Sequence, residues 1–367
     1  MLPRPRLAIC LGALAVVLLA GCTATAAPGT DSSVVAVDPA APLADLDILA
    51  DPASYEGPST AVLAQAAIDS PSAAPRQQLP ATVDSHDLSG DTSVTVASTD
   101  RILAMDVSGS IAATVFGLGF GDSVVGRDIS TTFPGTEDLP VITSSGHTVN
   151  NESIIALRPT VLITDGSVGP VDVVLQLRDA GIAVVFVDTD PTIEGVAELA
   201  AQVSAALGAP EAGEALGADL TAGIQSKIAE IAAIVPQTAA PLRMLFLYLR
   251  GTSGVYYLFG EESGADVLIT ALGGVDVAAE IGLEGMRPMT DEAMVAANPD
   301  LIFVMTKGIE SVGGVDGLLE SKPAIGLTLA GQHRRFVDMA DGEILAFGPR
   351  TAGVLDALAR AVYAPGQ

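Results

Sequence analysis

The sequence predicts an α/β protein of two lobes joined by one long helix, with a ligand cleft between the lobes. Three observations predict it. Short apolar runs such as "RILAMD", "TVLITD" and "IAVVFVD" alternate with helix-length segments, the pattern of a parallel-rich sheet covered on both faces. The stretch "EAGEALGADLTAGIQSKIAEIAAIV" spaces Leu216, Leu220, Ile224, Ile228, Ile231 and Val235 near the helical period. About 25 helical residues reach about 37 Å, which is enough to cross between lobes. Finally, "NNESIIALRPTVLIT" and "TDEAMVAANPDLIFV" share one grammar: a polar cap, a Glu, apolar positions, x-Pro, then a strand. With one copy on each side of the long helix, each lobe reads as Rossmann-like.

The elements follow in chain order. Arg4 and Arg6 precede "LAICLGALAVVLLA", an apolar run of about 14 residues that is short for a bilayer span, and the run closes on "LAGC", Leu19 to Cys22. Residues 1–21 therefore read as a signal peptide, and Cys22 sits where the lipobox of bacterial lipoproteins places its lipidated cysteine. Residues 22–92 are rich in Ala, Pro, Ser, Thr and Asp and read as a lipid-anchored flexible tether, with one short helical stretch in "PSTAVLAQAAIDS". The N-terminal lobe is expected over 93–209. Its strands are "SVTVAS", "RILAMD", "SVVGRD", "TVLITD" and "IAVVFVD". The linking helix is expected over 210–236, where Pro236 ends it, and the C-terminal lobe over 237–367. That second lobe supplies "RMLFLYL", "DLIFVMT", "RRFVDM" and "EILAF" as strands and "TAGVLDALARAVYA" as the last helix.

Composition excludes several functions. The chain is 49% apolar and 17% charged over 367 residues, long enough for two cores. Without Arg4 and Arg6 it carries 15 basic against 44 acidic residues, a balance that repels nucleic acid and offers no basic membrane patch. Membrane attachment would then come from the lipid alone. Of the two cysteines, Cys10 would leave with the signal peptide and Cys22 would carry the lipid, so no thiol remains for a disulfide or catalysis. No G-x-S-x-G or Cys/His nucleophile pattern is present, and "GLGFGD" has Asp122 where a dinucleotide fingerprint needs its third Gly. The chain reads as a non-enzymatic, monomeric binding protein. "DVSGS", Asp106 to Ser110, matches the D-x-S-x-S spacing of Mg²⁺-dependent adhesion domains. The alternative is that Ser108 and Ser110 cap the helix that starts near Ile111.

Three segments carry a family resemblance: "ILAMDVSGSIAATVFGLGFGDSVVGRDISTTFPG", "GHTVNNESIIALRPTVLITDG" and "LRMLFLYLRGTSGVYYLFGEESGAD". From about residue 93 onward the chain resembles the helical-backbone class of bacterial substrate-binding proteins, and most closely the haemin-binding lipoproteins of actinobacterial haem-uptake ABC transporters. The resemblance implies ferric haem as the transported ligand, held between the lobes on the extracytoplasmic face of the membrane. His147 of "GHT" and Tyr248 of "LYLRG" would ligate the iron, with Arg250 supporting the tyrosine. Glu152 and Glu292, one per lobe, would dock on Arg residues of the permease subunits. Arg127 and Arg287 are candidates for the haem propionates. Within the same class, a siderophore or cobalamin is the alternative ligand.

The residues carry a chemical argument of their own. In a strand, positions i and i+2 share a face, so Tyr248 and Arg250 are neighbours. A guanidinium beside a phenol favours negative charge on the oxygen, and phenolate is an anionic ligand with precedent on ferric haem. Tyr256 and Tyr257 of "GVYYLFG" are the next tyrosines to consider. Glu152 and Glu292 each open a helix, where a carboxylate interacts favourably with the helix dipole whether or not it also docks.

Overall fold

The computed structural model describes residues 41–144, 147–251 and 256–367; residues 1–40, with the signal-peptide and Cys22 readings, lie outside them. In the N-terminal lobe, Ile102–Met105, Val161–Thr164 and Ala183–Phe186 pair in parallel in that order. The first two are buried along their whole length, as strands covered on both faces must be. The stretch expected as a strand at "SVVGRD" makes only isolated bridges, Ile102 to Val124 and Arg127 to Val141. Asp128 diverts that chain, because its carboxylate takes the amides of Ser130 and Thr131 and turns it away from the sheet.

The C-terminal lobe holds a seven-stranded mixed sheet. Its order is Ser59–Thr60, Phe336–Met339, Leu301–Met305, Arg243–Tyr248, Tyr257–Phe259, Met286–Pro288, with Val275–Asp276 also on Arg243–Tyr248. The first four run parallel, and the Tyr257–Phe259 and Met286–Pro288 strands add antiparallel. "EILAF" forms turns rather than a strand. In both lobes the carboxyl ends of the parallel strands lead into the polar residues considered below, the usual place for ligand sites in such sheets.

One helix, Pro210–Ile234, joins the lobes. Its first half lies on the helix Ile193–Ala206 of the N-terminal lobe. Gly213 and Gly217 face Ser204 and Ala197 there, and a side chain at Gly213 would overlap the Ser204 hydroxyl. Its second half inserts Ile224 and Ile231 into the core of the C-terminal lobe, and Lys227 pairs with Asp356 of the last helix, Thr351–Tyr363.

Residues 41–92 are not a free tether. Leu43 is buried in the C-terminal core, and Ser59–Thr60 extends that lobe's sheet. The region expected as a short helix thus contributes a strand instead. Ser70 then donates to the carbonyl of Phe116, and Gln77 donates to the carbonyl of Leu207, both in the N-terminal lobe. Beyond them Ala81–Ser85 and Thr92–Val96 form a hairpin, so "SVTVAS" pairs outside the central sheet. This strap is held by single buried contacts rather than by a periodic apolar face, which is why its composition reads as a linker. The strongest contact is Arg178 to Asp87, with both carboxylate oxygens engaged at 2.6 and 2.8 Å and the carboxylate almost fully buried.

The Arg178 guanidinium holds Asp87 below its ordinary value despite opposing desolvation. A lowered folded value means the contribution exists above the unfolded value, near 3.9, and is lost as pH falls through the folded one. Asp87→Asn is expected to cost about 2–4 kcal/mol near neutral pH. In urea unfolding, the gap to wild type should narrow steadily below about pH 4.

Candidate functional site

Tyr248 ends the central strand of the C-terminal sheet. Phe246 shares its face, and the ring of Phe259 meets both edge-on at 5.0 and 5.8 Å, so the phenol rests on an aromatic floor. Tyr257 lies opposite Tyr248 across the strand pair. Arg250, two residues on, donates from Nε to the Tyr248 hydroxyl at 2.8 Å, with its guanidinium 5.3 Å from the ring centre. Its NH2 lies 3.3 Å from Asp341. The Tyr248 hydroxyl first, then Asp341, raises Arg250 above its ordinary value against partial desolvation. The expected adjacency is an actual bond, although the strand ends at Tyr248 and Arg250 lies just beyond it.

His147 occupies the tight connection between Thr143–Ser144 and Thr148–Val149 of the N-terminal lobe, with a left-handed φ of 59°. Its Nδ1 is buried and makes no hydrogen bond among the described residues. A polar ring nitrogen desolvated without a partner carries an energetic cost, which a ligand can relieve. The preceding Gly146 lies outside the described residues. His147 and Tyr248 stand on different lobes, and no hydrogen bond connects them among the described residues.

The other candidates separate clearly. Arg127 spends NH1 on the carbonyls of Asp128 and Thr131, so it holds its own loop. Arg287 shares its row with Leu247 and Leu258, one residue out of register with Tyr248 and Tyr257. Period-two alternation puts it on the opposite sheet face from Tyr248, so this candidate for a propionate contact stands apart from that tyrosine. Tyr256 is buried, and its hydroxyl donates to Asp291 at 3.1 Å; burial and then that carboxylate push it well above the usual phenol range. It is therefore unsuited to replace Tyr248 as a ligand.

Glu152 and Glu292 both lie exposed in the first turns of Asn151–Leu157 and Asp291–Ala297. The duplicated grammar is duplicated geometry. Asn150 and Thr290 cap the amides of Ser153 and Ala293, and Arg158 and Asn298 end the helices in left-handed conformations before Pro159 and Pro299.

The "DVSGS" segment is a helix cap of a different kind from the one expected. The fully buried Asp106, not Ser108 or Ser110, accepts the amides of Ser110 and Ile111 at 2.9 and 3.1 Å. Ser108 Oγ donates back to Asp106 and sits 2.8 Å from Ser110 Oγ. The Asp106 carboxylate that the adhesion reading would turn towards a cation is instead spent on the amides of its own helix start. A cavity of about 630 Å³ exists elsewhere, between the strap, Leu118, Leu216 and Pro349, away from Tyr248.

Asp106 is pushed up to about 7, by burial first and then by the charges of Asp128 and Asp165. A raised folded value means this stabilisation is complete below the unfolded value, near 3.9, and is lost as pH rises towards 7. Wild type should lose stability across that interval in urea titrations, and Asp106→Asn should show a flatter profile. Equal slopes would remove Asp106 as the source.

A family model described as "Periplasmic binding protein" matches residues 107–341. Among solved structures, the heme-binding protein HmuT is 37% identical with a TM-score of 0.78, covering 86% of this chain and 99% of its own. Variants of that protein with a tyrosine, an arginine two positions later, and a histidine each replaced by alanine also align, at 36–37% identity. The periplasmic heme-binding protein RhuT of Roseiflexus sp. RS-1 is 37% identical with a TM-score of 0.65, covering 74% of this chain and 100% of its own. A curated relative in Bacillus subtilis (strain 168), an uncharacterized ABC transporter substrate-binding lipoprotein called YvrC, is 26% identical over 251 residues, 68% of this chain and 76% of its own. With its two-lobed α/β architecture, its single linking helix and a model match that spans most of both lobes, the chain belongs to the periplasmic binding protein family.

Proposed function

We propose that this protein captures ferric haem between its two lobes and delivers it to an ABC permease, with Tyr248 and His147 as the iron ligands. The observation that carries the reading is the 2.8 Å bond from Arg250 Nε to the Tyr248 hydroxyl at the carboxyl end of the central strand. A cationic donor on a phenol oxygen favours the anionic ligand that ferric iron prefers. The likeness to heme-binding structures at 37% identity supports haem over a siderophore or cobalamin. The buried, unpartnered nitrogen of His147 supports a second ligand from the other lobe. The protein's task is binding and hand-over; its residues supply ligands, not catalysis.

Cys22 is the lipid anchor in this reading, and it places the protein on the extracytoplasmic face of the membrane. The permease meets Glu152 and Glu292, whose exposure on matching helix starts leaves both carboxylates available to cationic partners.

Haemin titrated into the protein should give a ferric-haem spectrum at one equivalent, and absence of binding would refute the proposal. Tyr248→Ala should weaken binding most and change the spectrum. Arg250→Ala should weaken it by about tenfold while keeping the tyrosine ligand. His147→Ala should alter the spectrum with a smaller loss. A Glu152→Ala, Glu292→Ala double variant should bind haemin normally yet fail to support uptake in cells; wild-type uptake would eliminate the docking role. Cys22→Ser should leave the protein unlipidated, read by loss of fatty-acid labelling.

A further inference from the structure

The guanidinium of Arg250 is half-exposed, at 48%, yet among the described residues it meets both Tyr248 and Asp341. Nε donates to the Tyr248 hydroxyl, and NH2 reaches Oδ2 of Asp341 at 3.3 Å. An arginine on the surface has many rotamers, and one bond to a phenol selects few of them. An ion pair from a second nitrogen of the planar fork to a fixed carboxylate narrows that choice further. Asp341 is itself held: it is only 16% exposed, and its Oδ1 accepts the Lys307 amide at 3.0 Å.

The residue after Asp341 touches the other lobe. A Cβ on Gly342 would lie 2.6 Å from the Ser130 carbonyl oxygen and 2.9 Å from Thr132 Oγ1. Only a residue with no side chain lets this turn lie so close to the N-terminal lobe. The Gly342 carbonyl accepts from Arg350 at 2.7 Å, and the guanidinium of Arg350 lies over the Phe133 ring of the N-terminal lobe at 5.4 Å. The turn that carries Asp341 is therefore packed between the tyrosine site and the lobe junction.

We propose that Asp341 is a positioning residue that sets Arg250 on the Tyr248 hydroxyl, and that Gly342 makes this setting depend on contact between the lobes. The proposal rests on Tyr248 being the iron ligand. It deepens that reading, because a tilt of the lobes that broke the Gly342 contact would then loosen the tyrosine's support as well as open the site. Haem release becomes coupled to opening through one short turn.

The test has one arm without haem and one with it. In proton–nitrogen spectra of the ¹⁵N-labelled apo protein, the Arg250 Nε–H signal is assigned by its loss in Arg250→Lys. It should be protected from exchange in wild type, lost in Tyr248→Phe, weakened in Asp341→Asn and partly restored in Asp341→Glu. In the second arm, haemin-loaded protein is mixed with excess apomyoglobin. Asp341→Asn should release haemin about three- to tenfold faster, and should add nothing in an Arg250→Ala background. Gly342→Ala, and Phe133→Leu on the opposite lobe, should both weaken the signal and speed release. An Asp341→Asn variant with wild-type signal and release overturns the positioning role. An effect of Gly342→Ala without one from Phe133→Leu confines the change to the turn and overturns the lobe linkage. If wild type binds no haemin, the ligand reading fails, and the apo spectra still decide whether Asp341 positions Arg250.

Discussion

The packing of one helix on two cores is the constraint on which the rest of the molecule depends. Pro210–Ile234 is held on the N-terminal lobe by close approach at Gly213 and Gly217 and on the C-terminal lobe by buried Ile224 and Ile231. The two attachments differ in kind. The first works through missing side chains, which let helix backbones approach, and the second through apolar burial at about 25 cal/mol per Å². A helix anchored at both ends cannot stretch, so the lobes tilt relative to one another rather than separate. The strap over residues 41–92 adds a second crossing, with Leu43 buried in one lobe and Asp87 paired to Arg178 on the other. Two such connections limit how far the lobes can move, and a site between them would need correspondingly little ordering on ligand binding.

Three buried charged residues, Asp106, Asp128 and Arg350, lie near the contact between the lobes. Asp106 and Asp128 lie under the turn that carries Ser130, and Arg350 lies across it against Phe133. Nε and NH1 of Arg350 are buried without hydrogen-bond partners among the described residues. Carboxylates taken from water resist ionisation, and burial pulls Arg350 below its ordinary value in the same way. These groups contribute little net stability where they stand. They do make the junction sensitive to small displacements, because any shift changes the solvation of several charges at once.

Tyr248 shows how a site arises from a sheet rather than from a motif. Its ring is placed by the Phe246 and Phe259 floor, its hydroxyl by Arg250, and Arg250 by Asp341, nearly a hundred residues downstream. Phe246 and Arg250 each lie two residues from Tyr248, whereas Phe259 and Asp341 reach the site from other segments. The same register that aligns Tyr248 with Tyr257 sends Arg287 to the far face, which a linear reading of the chain does not show.

The sequence by itself determined what depends on neighbours a few residues apart. Short continuous apolar runs specified the parallel strands, the 3.6 period specified the linking helix, and the cap–Glu–Pro grammar specified the paired helix starts at Glu152 and Glu292. The i, i+2 spacing likewise brings Arg250 to the Tyr248 hydroxyl. Tertiary structure alone decided the rest, for a common physical reason: those features are single contacts between distant segments, and they leave no period in the chain. The Ala- and Pro-rich stretch became a packed strap through Leu43, Ser59 and Asp87, each meeting a partner far along the sequence. Asp106 replaced the expected serines as the helix cap because a buried carboxylate could reach the amides of both Ser110 and Ile111. Asp341 entered the site only when folding brought the turn after Phe336–Met339 beside the end of Arg243–Tyr248.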